Sequence, residues 1–245
     1  MTQGPVLIIG AASDIGRATA HAFAAKGHAI QLAARNSARL AADQTDIAVR
    51  YGVSVTLHDC DALATESHAG FVDSLPELPQ IAVCVVGVLG DQAQNERDIQ
   101  AAVAVMRANY EGPASLLAVL ANRFERRGTG TLVGISSVAG IRGRASNYVY
   151  GSAKAGFTAF LSGLRNRLAK KGVHVVTVLP GFVNTQMTAG MDLPAKLTAE
   201  PQEVGEAIAR AVAKGRNIIY VRPIWQIIML IIRHIPEAVF KKLSL

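Results

Sequence analysis

The sequence predicts a single α/β domain, in which a doubly wound parallel sheet of about seven strands carries helices on both faces. Short apolar runs rich in valine and isoleucine alternate with helical patterns along the whole chain. The 245 residues, half of them apolar, are enough to bury one large core. No repeat or low-complexity linker divides the chain, so we expect one domain over residues 1–221. Residues 222–245 are predicted to form a helical extension that is not an independent domain.

Each predicted strand is an apolar run bounded by glycine, proline or polar residues. In chain order the predicted strands are Val6–Ile9, Ala29–Ala33, Ser54–His58, Ile81–Val86, Gly130–Ile135, His174–Leu179 and Ile218–Val221. The helical patterns between them begin near Ile15, Ser37, Leu63, Asn95, Gly112, Val149 and Pro201. Because strand–helix–strand units cross over in the right-handed sense, this alternation predicts parallel strands.

Charge and composition narrow the classes of function. The chain has 25 lysines and arginines against 18 acidic residues, but no basic run interleaved with aromatic residues, so we expect no nucleic-acid partner. Cys60 and Cys84 have no metal ligands at zinc spacing, and we expect neither a disulfide nor a metal site. The N-terminus lacks the basic region and long apolar run of a signal peptide, which predicts a cytoplasmic protein.

The turn after the first strand, "GAASDIG", has the pattern of a phosphate-binding loop at a helix N-terminus. Gly10 permits a tight turn and Gly16 permits close packing of the helix on the sheet. Between them, Ser13, Asp14 and Ile15 can present backbone N–H groups and the helix dipole to a phosphate. Since the charge of Asp14 would repel a pyrophosphate, we expect its carboxylate to cap the free N–H groups of the helix and to point away from the phosphates.

The end of the second strand predicts which dinucleotide binds. Dinucleotide folds place an acid about 20 residues beyond the glycine loop to bind the ribose 2′-hydroxyl. Here that position is Ala34, and Arg35 follows it. A guanidinium can hold a 2′-phosphate through two charge-assisted hydrogen bonds, so we expect NADP(H) in preference to NAD(H). The alternative is that Arg35 is a solvated residue at a strand end.

The stretch "GISSVAG…NYVYGSAKAG" holds three candidate catalytic residues. Tyr150 and Lys154 are four residues apart in a helical segment and therefore share a face. A nearby ammonium lowers the pKa of a phenol, which would make Tyr150 an acid–base group nearer neutral pH. Ser137 follows the fifth predicted strand, where its hydroxyl can polarise a substrate carbonyl. Tyr148 is the rival to Tyr150, but its six-residue separation turns it away from Lys154.

Four motifs in this order, "GAASDIG", "ISS", "YGSAK" and "PGFVNT", resemble those of the short-chain dehydrogenase/reductase family over nearly the whole chain. The resemblance implies a Rossmann-type domain that reduces a ketone or oxidises a secondary alcohol. Tyr150 would be the general acid in reduction, Lys154 would hold the nicotinamide ribose, and Ser137 would orient the carbonyl. It also implies a homo-oligomer formed through helices around residues 109–120 and 150–168.

The resemblance extends to further residues. Asn109 would support a water that links Lys154 to solvent, and Asp59, with Cys60 beside it, would contact adenine. The loop that packs on the nicotinamide amide and the phosphates would comprise Pro180, Gly181, Val183 and Thr185. Where the family has two asparagines after the fourth strand, this chain has "VVGVLG". Gly87 still leaves backbone room beside adenine, but that strand must be held differently.

The C-terminal segment combines an apolar run with basic residues. Residues 224–232 are apolar except for Gln226, and the flanking charges are Arg222, Arg233, Lys241 and Lys242 against Glu237. The run is too short to span a bilayer, but a basic, apolar helix with Trp225 can lie in a membrane interface. Two interpretations therefore stay open. The segment contacts the inner face of the cell membrane, lines the substrate pocket or a subunit interface, or does both.

With "GVLGD" and "YVYGSAKAG", this tail resembles one branch of the family, the reductases of decaprenylphosphoryl-2-keto-erythro-pentofuranose. That likeness implies a lipid-linked 2-keto sugar as substrate. One alternative is the reduction of a 3-oxoacyl chain or another soluble small ketone. From a different class, the chain could be an NADP(H)-binding regulator without turnover. The complete set of Ser137, Tyr150 and Lys154 argues against that alternative.

Overall fold

The computed structural model describes residues 4–243. The first three residues of the predicted domain and the last two of the predicted extension lie outside the described residues. The strands are β1 (Val6–Ile9), β2 (Ile30–Ala34), β3 (Val55–Asp59), β4 (Ile81–Cys84), β5 (Gly130–Ile135), β6 (Val173–Pro180), β7 (Phe182–Val183), β8 (Thr198–Ala199) and β9 (Ile218–Val221). Seven of them form one parallel sheet in the order β3-β2-β1-β4-β5-β6-β9, while β7 and β8 pair separately. The predicted fold class is confirmed.

Helices connect the strands and cover both faces of the sheet. They are α1 (Asp14–Ala24), α2 (Ala41–Tyr51), α3 (His68–Asp73), α4 (Gln92–Asn95), α5 (Ile99–Met106), α6 (Gly112–Arg127), α7 (Tyr148–Leu168), α8 (Pro201–Ala213), α9 (Ile224–His234) and α10 (Glu237–Phe240). A π-helical turn, Arg107–Glu111, joins α5 to α6. None of the helices within residues 4–243 is long and apolar enough to cross a membrane.

The core has two layers, one on each face of the sheet. One layer packs α1, α2 and α8 against the sheet through side chains such as Phe23, Ile47 and Ile208. The other packs α6 and α7 through side chains such as Phe124 and Phe157. Every residue of β1 and β4 is buried, as expected for central strands covered on both faces.

This topology brings several loops to one edge. The strand order reverses between β1 and β4, where a doubly wound sheet opens a crevice beyond the carboxyl ends of its strands. The segments that follow β1, β4, β5 and β6 all leave the sheet at this edge. They carry the glycine loop, Gly87, Ser137 and the "PGFVNT" stretch respectively.

Two predicted helix starts are wrong, and side-chain caps explain both. The helix predicted near Leu63 begins later, because the carboxylate of Asp61 accepts from the N–H of Leu63 at 2.9 Å and holds a turn there. The helix predicted near Asn95 is two helices, with Asp91 capping α4 and Asp98 capping α5. The short β7–β8 pair was not predicted, and β4 ends at Cys84 rather than at Val86.

Candidate active site

The glycine loop is a tight turn of backbone that leads into the N-terminus of α1. Ser13 caps the helix, because its hydroxyl accepts from the N–H of Gly16 at 3.1 Å and donates to the carbonyl of Gly10 at 2.8 Å. Gly10 has φ of +86°, and a Cβ at Gly16 would lie 2.6 Å from the Gly10 oxygen. Any other residue at either position would strain or displace this turn.

Asp14 does something other than predicted. The expectation that it caps the free N–H groups of its own helix is wrong, since Ser13 takes that position. The Asp14 carboxylate instead accepts from the N–H of Gln186 at 2.8 Å. It therefore joins the glycine loop to the segment that follows "PGFVNT". Its place in the first turn of α1 still suits the helix dipole.

The adenine-side candidates lie at the ends of β2 and β3. Arg35 directly follows β2 and is exposed to solvent. Asp59 ends β3, and its carboxylate accepts from the N–H of Ser37 at 2.8 Å, which holds the pKa of Asp59 below its usual range. Cys60 is buried, and burial raises the pKa of its thiol to about 12. Cys60 is therefore a packed thiol rather than a reactive one.

The strand end that lacks the family asparagines is held by Asn109. This fully buried side chain sits in the π-helical turn. Its amide donates to the carbonyl of Val88 at 2.6 Å and to that of Val105 at 2.8 Å, and its oxygen accepts from the N–H of Val88 at 3.3 Å. A Cβ at Gly87 would lie 2.7 Å from the Asn109 oxygen and 3.1 Å from the Lys154 nitrogen. Glycine therefore permits Asn109 and Lys154 to close on this segment.

The structure brings the three catalytic candidates together. Ser137 follows β5, while Tyr150 and Lys154 lie in the first two turns of α7. The Lys154 nitrogen is 5.8 Å from the centre of the Tyr150 ring and donates to the carbonyl of Ile135 at 3.0 Å. Tyr148, the rival candidate, is 45% exposed and does not line the cavity that holds Tyr150.

Burial controls the titration of this cluster. It raises the pKa of Tyr150, and a hydrogen bond with Ser137 offsets part of the rise. It also lowers the pKa of Lys154, from its usual 10.5 to about 8. The expected lowering of the Tyr150 pKa by Lys154 is therefore not found. At neutral pH the phenol therefore keeps its proton, and Lys154, with a pKa of about 8, keeps its positive charge.

The "PGFVNT" loop lies under the C-terminal helix. Pro180 ends β6, Val183 is buried, and Thr185 reaches the cavity. The indole of Trp225 covers Gly181 so closely that a Cβ there would lie 1.9 Å from the ring. The indole N–H donates to the carbonyl of Leu197 at 3.1 Å. Residue 181 therefore has to be glycine if α9 is to dock.

A cavity of about 150 Å³ opens between these elements. Its lining includes Ile15, Gly87, Ser137, Tyr150, Lys154, Pro180, Gly181, Val183 and Thr185. It also includes residues that sequence reasoning missed: Arg144, Asn147, Met187 and Met191. The sequence offered one indication for two of them: Arg144 and Asn147 lie between the catalytic candidates Ser137 and Tyr150 along the chain. A larger surface cleft of about 1120 Å³, beside α1 and α8, contains none of the three catalytic candidates.

This arrangement suits a dinucleotide beside a reacting carbonyl. The glycine cradle offers backbone N–H groups at a helix N-terminus, where phosphates bind. Glycine at positions 10, 16 and 87 lets the surrounding protein atoms pack tightly on these turns, since a Cβ at each would lie within 3.1 Å of a neighbouring atom. The phenol of Tyr150, the hydroxyl of Ser137 and the ammonium of Lys154 line one cavity. Groups of these types can transfer a proton to or from a substrate oxygen.

Comparison with known proteins shows which family and which solved folds this chain resembles. Residues 5–195 match the family model described as short chain dehydrogenase. An uncharacterized oxidoreductase of Mycobacterium tuberculosis is 40% identical over 242 residues, which cover 98% of this chain and 96% of that protein. The solved short-chain dehydrogenase from Sphingobium yanoikuyae in complex with NADPH matches with a TM-score of 0.81 at 24% identity, covering 96% and 97% of the two chains. The 3-oxoacyl-[acyl-carrier protein] reductase from Brucella melitensis in complex with NAD matches with a TM-score of 0.78 at 25% identity, covering 90% and 96%.

Proposed function

The chain belongs to the short-chain dehydrogenase/reductase family of NAD(P)-dependent oxidoreductases, and from that premise we propose that it reduces a ketone with NADPH, Tyr150 acting as the general acid. The observation that carries the proposal is the meeting of Ser137, Tyr150 and Lys154 in one cavity beside the glycine loop. A regulator without turnover would have no use for this set.

Each of the three residues has a distinct task. The bound nicotinamide supplies the hydride in reduction and accepts it in oxidation. Tyr150 donates its phenolic proton to the substrate oxygen in reduction, and its raised pKa keeps that proton in place beforehand. The Ser137 hydroxyl orients and polarises the carbonyl. Lys154 lines the same cavity, where its ammonium would hold the nicotinamide ribose.

The test is Tyr150→Phe, with Tyr148→Phe as the matched control. Loss of a placed proton donor costs about 10²–10⁴-fold in turnover. We expect Tyr150→Phe to lose this much activity in an NADPH-oxidation assay while keeping the Kd for NADPH, measured by fluorescence. Tyr148→Phe should retain activity, because Tyr148 lies outside the cavity. Near-normal turnover by Tyr150→Phe would refute the assignment.

We propose NADP(H) as the preferred cofactor, held at its 2′-phosphate by Arg35. The support is the exposed guanidinium directly after β2, next to Ala34 where an acid would otherwise bind the 2′-hydroxyl. Arg35→Ala should weaken NADPH binding about 10–100-fold, the worth of a charge-assisted hydrogen bond, and leave NADH binding nearly unchanged. Arg216→Ala, which removes an exposed guanidinium before β9, is the control. Equal affinities of the wild type for NADPH and NADH would contradict the preference.

For the substrate we propose a polyprenylphosphoryl 2-keto sugar that reaches the cavity from a membrane surface. The support is α9, which covers Gly181 with one face and exposes apolar side chains on the other. Met187 and Met191, both lining the cavity, are 46% and 48% exposed. A soluble ketone or a 3-oxoacyl chain is the alternative. An NADPH-oxidation panel containing a prenylphosphoryl 2-keto-pentose, an unlipidated ketose and a 3-oxoacyl thioester separates the three.

We also propose a homo-oligomer. Exposed apolar side chains lie in a row along α5 and the π-helical turn, just before and at the start of the segment around residues 109–120 that the resemblance implies as a subunit interface: Ile99, Val103, Met106 and Tyr110. Their spacing of four, three and four residues puts them on one face. An aqueous environment disfavours a contiguous apolar stripe of this kind, and a second copy would cover it.

A further inference from the structure

Arg144 places an uncompensated positive charge at the catalytic cavity. Its Nε atom is buried and has no hydrogen-bond partner among the described residues. None of the ion pairs within residues 4–243 involves Arg144. Burial lowers the pKa of the guanidinium, and no nearby acid raises it. Arg144 as a whole is half-buried, but a buried guanidinium N–H without a partner is costly, and a ligand in the cavity could accept from it.

The cavity wall itself supplies no counter-charge. The lining residues include two cations, Arg144 and Lys154, and no aspartate or glutamate. Lys154 already donates to the carbonyl of Ile135. The missing negative charge would therefore arrive with a ligand, and it would lie beside Arg144 rather than beside Lys154.

Asn147 adds a second polar atom without a hydrogen-bond partner to the wall of the catalytic cavity. Its Oδ1 atom is buried without a hydrogen-bond partner among the described residues. Asn147 stands at the N-cap position of α7, yet its side chain makes no capping hydrogen bond. A buried carbonyl oxygen of this kind is satisfied by a hydroxyl or amine donor. The wall thus offers a cationic donor and a neutral acceptor three residues apart in sequence.

We propose that Arg144 and Asn147 form a subsite for the anionic, hydroxylated part of the ketone substrate. In this subsite Arg144 donates to a phosphate oxygen, and the Oδ1 atom of Asn147 accepts from a hydroxyl group. The inference rests on the proposed reductase function and deepens it. A planar guanidinium suits a phosphate ester, since it offers paired donors as well as charge. The substrate class is a phosphorylated hydroxyketone, whether the phosphate is free or esterified to a lipid.

The experiment compares ketoses with and without phosphate. D-ribulose, D-ribulose 5-phosphate and a farnesyl phosphodiester of a 2-keto-pentose are assayed by NADPH oxidation with wild type, Arg144→Met, Arg144→Lys and the control Arg216→Met. We expect wild type to prefer the phosphorylated ketoses. Arg144→Met should lower the ratio of their kcat/KM values to that of D-ribulose about 10–100-fold, chiefly through KM. Arg144→Lys should recover part of it, and Arg216→Met should not change it.

The two phosphorylated ketones distinguish the source of the anion. Preference for the farnesyl phosphodiester indicates a lipid-linked substrate, and preference for D-ribulose 5-phosphate indicates a soluble one; both support the subsite. An unchanged ratio in Arg144→Met, with wild-type thermal unfolding and NADPH binding, would overturn it.

Binding separates this inference from the reductase proposal. D-ribulose 5-phosphate and the farnesyl phosphodiester are titrated by calorimetry into the protein loaded with NADP⁺. Suppose that wild type binds one of these two ligands but does not reduce it, and that Arg144→Met does not bind it. That result would contradict the reductase proposal and support the subsite. Failure of both to bind wild type would sink the subsite alone if D-ribulose is still reduced.

Discussion

At the scale of single residues, Asp14 shows how one carboxylate can serve two segments. It begins α1 beside the phosphate cradle, and its oxygen receives the N–H of Gln186 from the turn after Thr185. That turn continues into Met187 and Met191, which line the cavity. The glycine loop and the outer wall of the substrate cavity are therefore tied together by one charge-assisted hydrogen bond.

Removing this bond should loosen the substrate side more than the cofactor side. Asp14→Ala is expected to raise the KM of a reducible ketone roughly three- to tenfold, as for the loss of one exposed hydrogen bond. Asp14→Asn is the matched control, since it loses the same charge but keeps an oxygen that can accept from Gln186. Steady-state kinetics and NADPH titration of both variants decide the matter. If both bound NADPH far more tightly than wild type, the carboxylate would be a source of repulsion instead.

Residue positions that depend on spacing within one element were predictable from the sequence. Tyr150 and Lys154 share a helix face because they are four apart, and Gly10 follows from the tight turn after β1. Contacts between distant segments were not predictable. The hydrogen bond between Asp14 and Gln186 has no periodic pattern in the sequence that would predict it, and the same holds for the hydrogen bond between Asn109 and Val88. The pKa of Tyr150 was predicted in the wrong direction, because burial depends on the assembled cavity.

At the scale of elements, α9 is a helix with two different apolar faces. Trp225 and Met229 are 4% and 1% exposed and pack over the "PGFVNT" loop. Arg142 holds the end of the helix, donating to the carbonyls of Ile232 at 2.7 Å and Ile235 at 2.5 Å. The apolar run predicted a helix, but its composition could not divide the buried face from the exposed one.

Two of the charged residues around α9 that the sequence shows as flanking charges are paired in the structure. Arg222 is not free, because it pairs with Glu203 at 3.0 Å and donates to the carbonyls of Ala195 and Lys196. Glu237, the one nearby acid in the sequence, is paired with Arg142 at 2.9 Å. The exposed cations are Arg233, Lys241 and Lys242. An apolar face flanked by these cations fits an anionic lipid surface.

The exposed face, rather than the whole segment, is the right target for a membrane test. Truncation after Pro223 would remove Trp225 and uncover Gly181, so it would damage the cavity as well. Leu230 is 61% exposed, and Leu230→Glu should weaken co-sedimentation with anionic liposomes about tenfold or more with little change in Tm. Val49→Glu, at an 81% exposed site on α2, is the control with the same change of charge. No binding of the intact protein, or equal binding by Leu230→Glu, would contradict membrane contact.

At the scale of the whole molecule, the proposed subunit interface and the catalytic cavity share one structural segment. The apolar stripe runs along α5 into the π-helical turn, where Met106 and Tyr110 are 40% and 43% exposed. Asn109, in the same turn, is fully buried and grips Val88 next to Gly87. A partner that covers the stripe would therefore also brace the turn that supports the cavity.

Met106→Glu should accordingly break the oligomer and disturb catalysis together. Light scattering after size exclusion should give a dimer or tetramer for the wild type and a smaller species for Met106→Glu, because a buried unpaired carboxylate in the interface is costly. Val49→Glu again controls for added charge and should keep the wild-type mass. If the π-helical turn relies on the partner, the smaller species should also lose kcat, although Met106 does not line the cavity. A monomeric wild type would remove the proposed interface, whereas a dissociated variant with full kcat would show that Asn109 holds Val88 without help from a second subunit.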